Sequence, residues 1–345
     1  MRYSLGIKTN KHLDPIDSED NPLLPSYLPV EAKKKGIHLY DCFAFSLTAS
    51  KERFFGCSLP CANQNQKRSF IELPESTKSL FNEEETCIID PLKNEDITRQ
   101  ALSFNVGTFP VILSSPHGGT FQPSIIPDRF WGLKIEEGYV NDILQTICFL
   151  LPSAPSFIFG NISRFKVDFN RPFLSHEGYN EKSGLAARIH AKFHFILRYL
   201  ANNIPPEDYG VFLDLHGFDS KKNNHEARNA DLILGTAYDL TLIERNGAHW
   251  GKKELINHLS DAGFSIFPPA PDEPEYGPLS GGIIIKSFVG YPNISSIQIE
   301  ISDELRKNKK RRKKLAHTIA ESLKSIIGES QDEEDGSNEA SSMYS

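Results

Sequence analysis

What this sequence lacks narrows its function before any motif is read. No apolar run approaches the roughly 20 residues of a membrane-spanning helix, so no membrane partner is expected. Positive charge is not in excess: 38 Lys and Arg stand against 45 Asp and Glu, a net charge of −7. Nothing in that balance argues for a nucleic-acid partner. Cysteine is sparse, and the five (Cys42, Cys57, Cys61, Cys87 and Cys148) form an odd, scattered set. That excludes a dense disulfide framework and fits reduced thiols in a cytoplasm. Cys57 and Cys61 are four apart, but no second pair follows to complete a structural zinc site. There is no glycine-rich nucleotide fingerprint and no internal repeat. Residues 1–8 lack the apolar core of a secretory signal, so a cytoplasmic location is expected.

What is present is ordinary for a soluble globular protein, with 39% hydrophobic and 24% charged residues. The 345 residues suffice for one large α/β domain with additions, or for two domains. Prolines and charges are scattered through residues 1–105. Only Phe43, Phe45 and Leu47 alternate clearly, and Glu83–Glu85 and Lys93–Arg99 read as solvated surface. This part is expected to be an irregular N-terminal extension with one or two strands. From Phe109 the pattern sharpens. Phe109–Ser115 predicts a strand that runs into Pro116, His117, Gly118 and Gly119. A helix is predicted from about Glu137 to Leu151, with Val140, Ile143, Leu144 and Ile147 as its stripe. Further strands are predicted at Ser156–Gly160, Val211–Gly217, Asp231–Gly235, Phe264–Ile266 and Ile297–Ile301, and further helices at Leu185–Leu200, Leu255–Ala262 and Asp303–Ile327. The basic run Lys307–Lys314 reads as the solvated side of that last helix. After Gly328 the composition predicts a disordered acidic tail, residues 329–345. Strands alternating with helices over 106–328 predict a three-layer α/β/α sandwich around a mixed sheet.

The chemistry gathers at strand ends. In Val211–Gly217, Asp214 and His216 alternate and so share one face of a strand. Apolar parallel strands carry active-site residues where they run out into loops. A His there with an acid two residues earlier suggests a metal ligand or a catalytic base. The plainer alternative is a strand-end His satisfied by a backbone carbonyl. His117 offers a second imidazole, and a carboxylate as third ligand would leave a metal position open for water. Glu300 projects from the face of its strand opposite Ile297, Ile299 and Ile301, where a carboxylate can take and pass a proton. Arg164, Asp168, Asn170 and Arg171 fall within one short segment. Arg and Asn there suit an acidic substrate, and surface ion pairing of Arg171 with Asp168 is the alternative. His194 sits among Phe193, Ile196 and Leu197 and reads as a core residue, whereas His176 and His225 lie in polar loops.

Taken together, Pro116–Gly119, Ser163–Pro172, Asp214–Gly217 and Gln298–Ile301 occur in the order seen in the N-formylglutamate amidohydrolase family, which the chain resembles over about residues 108–327. Gly281, Gly282 and Arg306 also look like family features. The family is similar to zinc carboxypeptidases and aspartoacylases, which implies a zinc-carboxypeptidase-like fold and one catalytic zinc. By that resemblance His117 and His216 bind zinc, Glu300 is the general base and acid, and Arg164 polarises the scissile carbonyl. Asn170 and Arg171 then hold a substrate carboxylate. Carboxypeptidases place a Glu three residues after the first His, but that position here is Thr120. The acid implied at the start of the following helix is best matched by Glu137, with Glu136 and Asp142 as alternatives. The implied activity is zinc-dependent cleavage of the amide bond of a small acidic N-acyl amino acid. A metallocarboxypeptidase or deacylase acting on another acyl amino acid or peptide, and a non-catalytic member keeping the fold, are the alternatives.

Overall fold

Short β-branched and aromatic runs, broken by Gly, Pro and Asn, give this chain many short strands. The computed structural model describes residues 4–10, 23–26, 37–47, 53–59, 70–74, 86–221, 225–245 and 247–342. Ser4–Asn10 (β1), Leu23–Ser26 (β2), Cys42–Leu47 (β3), Arg53–Ser58 (β4), Phe70–Pro74 (β5) and Thr86–Pro91 (β6) form a six-stranded sheet in the order β2-β4-β3-β6-β1-β5. The described residues within 1–105 therefore carry a six-stranded sheet, where an irregular extension with one or two strands was expected. Pairs such as β1 with β5 and β3 with β6 join strands far apart in sequence, so the sheet leaves little local periodicity to read. Glu95–Ala101 (α1) also departs from the expected solvated surface, because Glu95 is buried.

The second sheet has seven strands. Leu102–Asn105 (β7), Phe109–Ser115 (β8), Pro155–Gly160 (β9), Gly210–Phe218 (β10), Leu232–Gly235 (β11), Ile266–Phe267 (β14) and Ile294–Ser302 (β15) lie in the order β14-β11-β15-β10-β8-β9-β7. Glu244–Arg245 (β12) and Ala248–His249 (β13) form a separate two-stranded ribbon. β15, β10, β8 and β9 are mutually parallel neighbours, while β11 and β7 join antiparallel, so the sheet is mixed as expected. Parallel neighbours bring their carboxyl ends to one edge.

Helices cover both faces. Val140–Leu150 (α2), Lys252–Asp261 (α4) and Lys309–Ser342 (α7) pack on the face carrying Val111, Leu113, Leu213, Leu215, Ile297, Ile299 and Ile301. Gly184–Ala201 (α3) and Ile283–Lys286 (α5) pack on the face carrying Ile112, Ile158 and Phe212. The result is the three-layer α/β/α sandwich that the alternation predicts. The six-stranded sheet joins the second layer through Leu23, Cys42 and Cys57.

Several helix boundaries differ from expectation. α2 begins at Val140, not Glu137, because Tyr139 takes a positive φ of 69° that ends helical geometry before it. The last helix is divided: Asp303–Lys307 (α6) stops at Asn308, whose ψ of 104° is extended, and α7 starts afresh. The stretch expected as a disordered tail continues as helix to Ser342. Its Glu, Gln and Ala suit a helix and no Pro interrupts it, so elongation orders only one residue per added bond. No helix among the described residues is long and apolar enough to cross a membrane.

Candidate active site

Four adjacent parallel strands deliver the site. His117 follows β8 by two residues, His216 lies in β10, Glu300 lies in β15, and the Arg164–Arg171 segment follows β9. Register fixes two of these side by side, since His216 is the partner of Glu300 and Asp214 the partner of Ser114. Side-chain alternation then divides β15 as expected, with Ile297, Ile299 and Ile301 in the core and Gln298 and Glu300 on the other face.

His117, Glu137 and His216 form a buried cluster whose potential ligand atoms all lie within 4.8 Å of one another. Of the three acids that the sequence leaves open, the structure brings Glu137 to the two imidazoles. Glu136 instead accepts a hydrogen bond from Ser163, and Asp142 lies beside Arg312 at 3.9 Å. The backbone N–H of Glu137 donates to the His117 carbonyl (3.0 Å), which pins the turn ahead of α2 against the end of β8. Glu137 Oε1 lies 3.0 Å from His117 Nδ1 and accepts from Arg164 Nη1 (3.0 Å). Oε2 accepts from the backbone N–H of Gly217 (2.8 Å) and lies 3.5 Å from His216 Nδ1.

Each imidazole is held from behind by a buried carboxylate. His117 Nε2 meets Asp168 Oδ1 at 2.7 Å, and His216 Nε2 meets Asp214 Oδ2 at 2.8 Å. Asp214 in turn accepts from Ser114 Oγ, and Asp168 accepts from Arg164 Nε (2.9 Å). An N–H directed at each Asp leaves the Nδ1 lone pairs facing Glu137, a nitrogen, nitrogen and carboxylate donor set suited to zinc. The strand-end alternative, a backbone carbonyl partner for His216, is not what the structure contains. Asp168 is likewise no surface partner of Arg171, which donates to Glu177 Oε2 (2.7 Å) instead. The role of Asp168 behind His117 was not evident from sequence, because the two are 51 residues apart on different loops.

The electrostatics favour a cation. Burial alone raises a carboxyl pKa, yet His117 and His216 hold Glu137 well below the usual range. Burial is likewise outweighed at Asp168, where His117 and Arg164 hold the pKa well down. At His216 burial disfavours the imidazolium, but Asp214 and Glu137 hold its pKa well above normal. A field that favours a proton there favours a metal ion in its stead. Glu300 differs: burial pushes it up to about 7, with Glu137 adding to the rise and His216, His117 and Arg164 opposing it. Gln298 Nε2 donates to Glu300 Oε1 (3.0 Å), and Gln298 Oε1 accepts from the Gly282 N–H (2.8 Å).

His117, Glu137, Arg164, His216, Gln298 and Glu300 line one cleft of about 600 Å³, together with Asn170, Arg171, Arg228, Gly281 and Arg306. The volume is that of a small-molecule site. Asn170 Oδ1 accepts from the Ile284 N–H (3.3 Å), and a Cβ on Gly282 would come within 2.1 Å of that same oxygen. Gly282 is thus required by the close approach of its loop to Asn170. Arg306 donates to the carbonyls of Ile301 (3.0 Å), Gly138 (2.9 Å) and Phe218 (3.3 Å), which ties three loops together. Among the other histidines, His194 meets the Phe169 carbonyl (2.9 Å) inside the α3 layer, as expected of a core residue. His176 pairs with Glu181 at the surface. His225 caps the short turn Glu226–Asn229. Cys57 is buried and lies opposite Cys42 in register, while Cys61 lies outside the described residues.

No family model and no curated protein matches the chain. Solved structures do. An N-formylglutamate amidohydrolase from Ralstonia eutropha JMP134 matches with a TM-score of 0.51 and 16% identity, over 68% of this chain and 99% of that one. A gene product of Agrobacterium tumefaciens matches with a TM-score of 0.48 and 14% identity, over 70% and 98%. A metallo-carboxypeptidase from Burkholderia cenocepacia matches with a TM-score of 0.32 and 12% identity, over 84% and 81%. Likeness at such identity speaks to fold, and the first match carries it: this chain has the fold of an N-formylglutamate amidohydrolase.

Proposed function

We propose that the protein is a zinc-dependent amidohydrolase that cleaves the C–N amide bond of a small acidic N-acyl amino acid. The observation that carries the reading is the buried His117, Glu137 and His216 cluster, with Glu300 directly opposite His216 on the neighbouring strand. His117, Glu137 and His216 would hold the zinc. Bound zinc lowers the pKa of water and polarises a carbonyl oxygen. The chain supplies the rest. Glu300, at a pKa of about 7, is poised both to accept and to return a proton near neutrality. It takes a proton from the attacking water as the oxygen bonds to the acyl carbon. It gives that proton to the departing nitrogen as the C–N bond breaks, so the products are an acid and an amine. Gln298 fixes the Glu300 carboxylate through its amide. Arg164 lines the cleft beside Glu137 and stabilises the negative charge that develops on the carbonyl oxygen. Asn170 and Arg171 bind a substrate carboxylate.

Residues 106–328 form the catalytic unit. The small cleft favours a small-molecule substrate over a long peptide. Free buried thiols at Cys42 and Cys57 support a reducing compartment such as the cytoplasm. The test is release of primary amine from N-formylglutamate by the zinc-loaded protein. Wild type is expected to turn over, and Glu300→Gln to lose about 10²- to 10⁴-fold in rate while retaining its metal. Equal rates in the two proteins would overturn the assignment of Glu300.

A further inference from the structure

A second cavity, of about 290 Å³, adjoins the cleft at Arg171, the one residue that lines both. Its wall includes His190, His194, Arg198 and Lys286, and no carboxylate lines it. α3 supplies His190, His194 and Arg198, which recur every four residues and so share one helix face. α5 supplies Lys286. His190 and His194 donate through Nε2 to the carbonyls of Arg171 and Phe169, each at 2.9 Å, which ties α3 to the segment that carries Asn170 and Arg171.

The charge in this cavity is not balanced by the protein. Arg171 meets Glu177 at 2.7 Å, but among the described residues no carboxylate lies within ion-pair distance of Arg198 or Lys286. The Arg198 charge is felt inside: burial holds the His194 pKa well down, and Arg198 adds to the fall. Two unmatched cations at one cavity suit a dianion, and an Arg fork beside a Lys point charge suits phosphate. His190 adds a second, independent sign. It is fully buried, and its Nδ1 has no hydrogen-bond partner. Its Nε2 carries the proton given to the Arg171 carbonyl, and burial lowers its pKa to about 4, so Nδ1 is a neutral acceptor near pH 7. Its complement is a hydroxyl. Hydrogen phosphate and a hydroxylated phosphate monoester each join a charge of about −1.5 to −2 to an O–H donor, whereas a dicarboxylate brings no donor.

We infer that this second cavity binds a phosphate dianion bearing a hydroxyl, free hydrogen phosphate or a small monoester, held by Arg198 and Lys286. The inference does not depend on the amidohydrolase reading, since neither residue lines the cleft. The full-length, zinc-supplied protein is titrated in a calorimeter at constant ionic strength with inorganic phosphate, glycerol 3-phosphate and succinate. Wild type is compared with the double variant Arg198→Gln, Lys286→Gln, whose substituted side chains both reach solvent. Wild type is expected to bind phosphate or glycerol 3-phosphate at one site per chain, with succinate about tenfold weaker or more. The double variant is expected to lose about tenfold to a hundredfold of that affinity. The tighter of the two phosphate compounds identifies the source, the free anion or a monoester. Succinate binding as tightly as either, or an affinity unchanged in the variant, would overturn the inference. So would the absence of saturable phosphate binding in wild type. A further titration of wild type after zinc is removed keeps the test independent of how the variant folds. Affinity that persists supports the second cavity, and affinity that vanishes with the zinc places the anion on the His117, Glu137 and His216 cluster and overturns the inference.

Discussion

His117 and His216 are oriented by what lies behind them. Asp168 and Asp214 are fully buried, so ring position and tautomer are set inside the protein and not by the cleft. Asp214→Asn and Asp168→Asn are each expected to weaken zinc binding by about 10- to 100-fold, read by competition with a chromogenic chelator. Unchanged affinity would mean that the carboxylates only fill space. The Asp214 contact was legible in the sequence, because a spacing of two on a strand puts it beside His216. A second residue-scale prediction concerns His190, which lies in the α3 layer with Nε2 on the Arg171 carbonyl (2.9 Å). Burial lowers its pKa to about 4, and burial holds His194 well down too. Both imidazoles gain a proton more readily in the unfolded chain, so stability is full above about pH 6.5 and is lost as pH falls toward 4. For His190 the loss is about 3 kcal/mol. Urea unfolding at several pH values should show this fall in wild type and a smaller one in His190→Gln. An equal fall in both would place the pH dependence elsewhere.

At the scale of elements, the site is a product of strand order. β15, β10, β8 and β9 are parallel neighbours, so four separate motifs meet at one edge. Arg306 locks that edge by joining the ends of β15 and β10 to the turn ahead of α2. Gly217 makes room for it, since a Cβ there would lie 2.5 Å from the guanidinium carbon. Gly217→Ala is therefore expected to cost about 1–3 kcal/mol of stability and to loosen zinc binding, because the Gly217 N–H also holds Glu137. Thermal melts with and without zinc would register both effects, and a variant melting like wild type would contradict the packing argument. The seven strands of the main sheet were nearly all legible, since apolar runs bounded by Gly and Pro are local signals. The six-stranded sheet was not, because its pairings are non-local and only β3 alternates clearly. Glu137 lies outside the helix that periodicity assigned to it, because Tyr139 adopts a left-handed conformation that no spacing rule reveals.

At the scale of the whole molecule, the two sheets are coupled by a buried polar contact. Glu95 Oε1 accepts from the Cys42 backbone N–H of the first sheet and from Lys192 Nζ of α3, each at 3.0 Å. Lys192→Met would leave Glu95 with Arg188 at 3.7 Å as its remaining ion-pair contact among the described residues. A loss of about 3 kcal/mol in urea unfolding is expected, and a loss typical of surface substitutions would indicate that the two sheets are coupled otherwise. All of the chemistry, however, depends on whether the buried cluster holds a metal. The direct measurement is the metal content of the full-length protein after zinc is supplied and excess removed, beside His216→Ala and Glu137→Ala. About one zinc per chain in wild type, lost in both variants, is the predicted result. A wild type that retains no metal under those conditions would contradict the account.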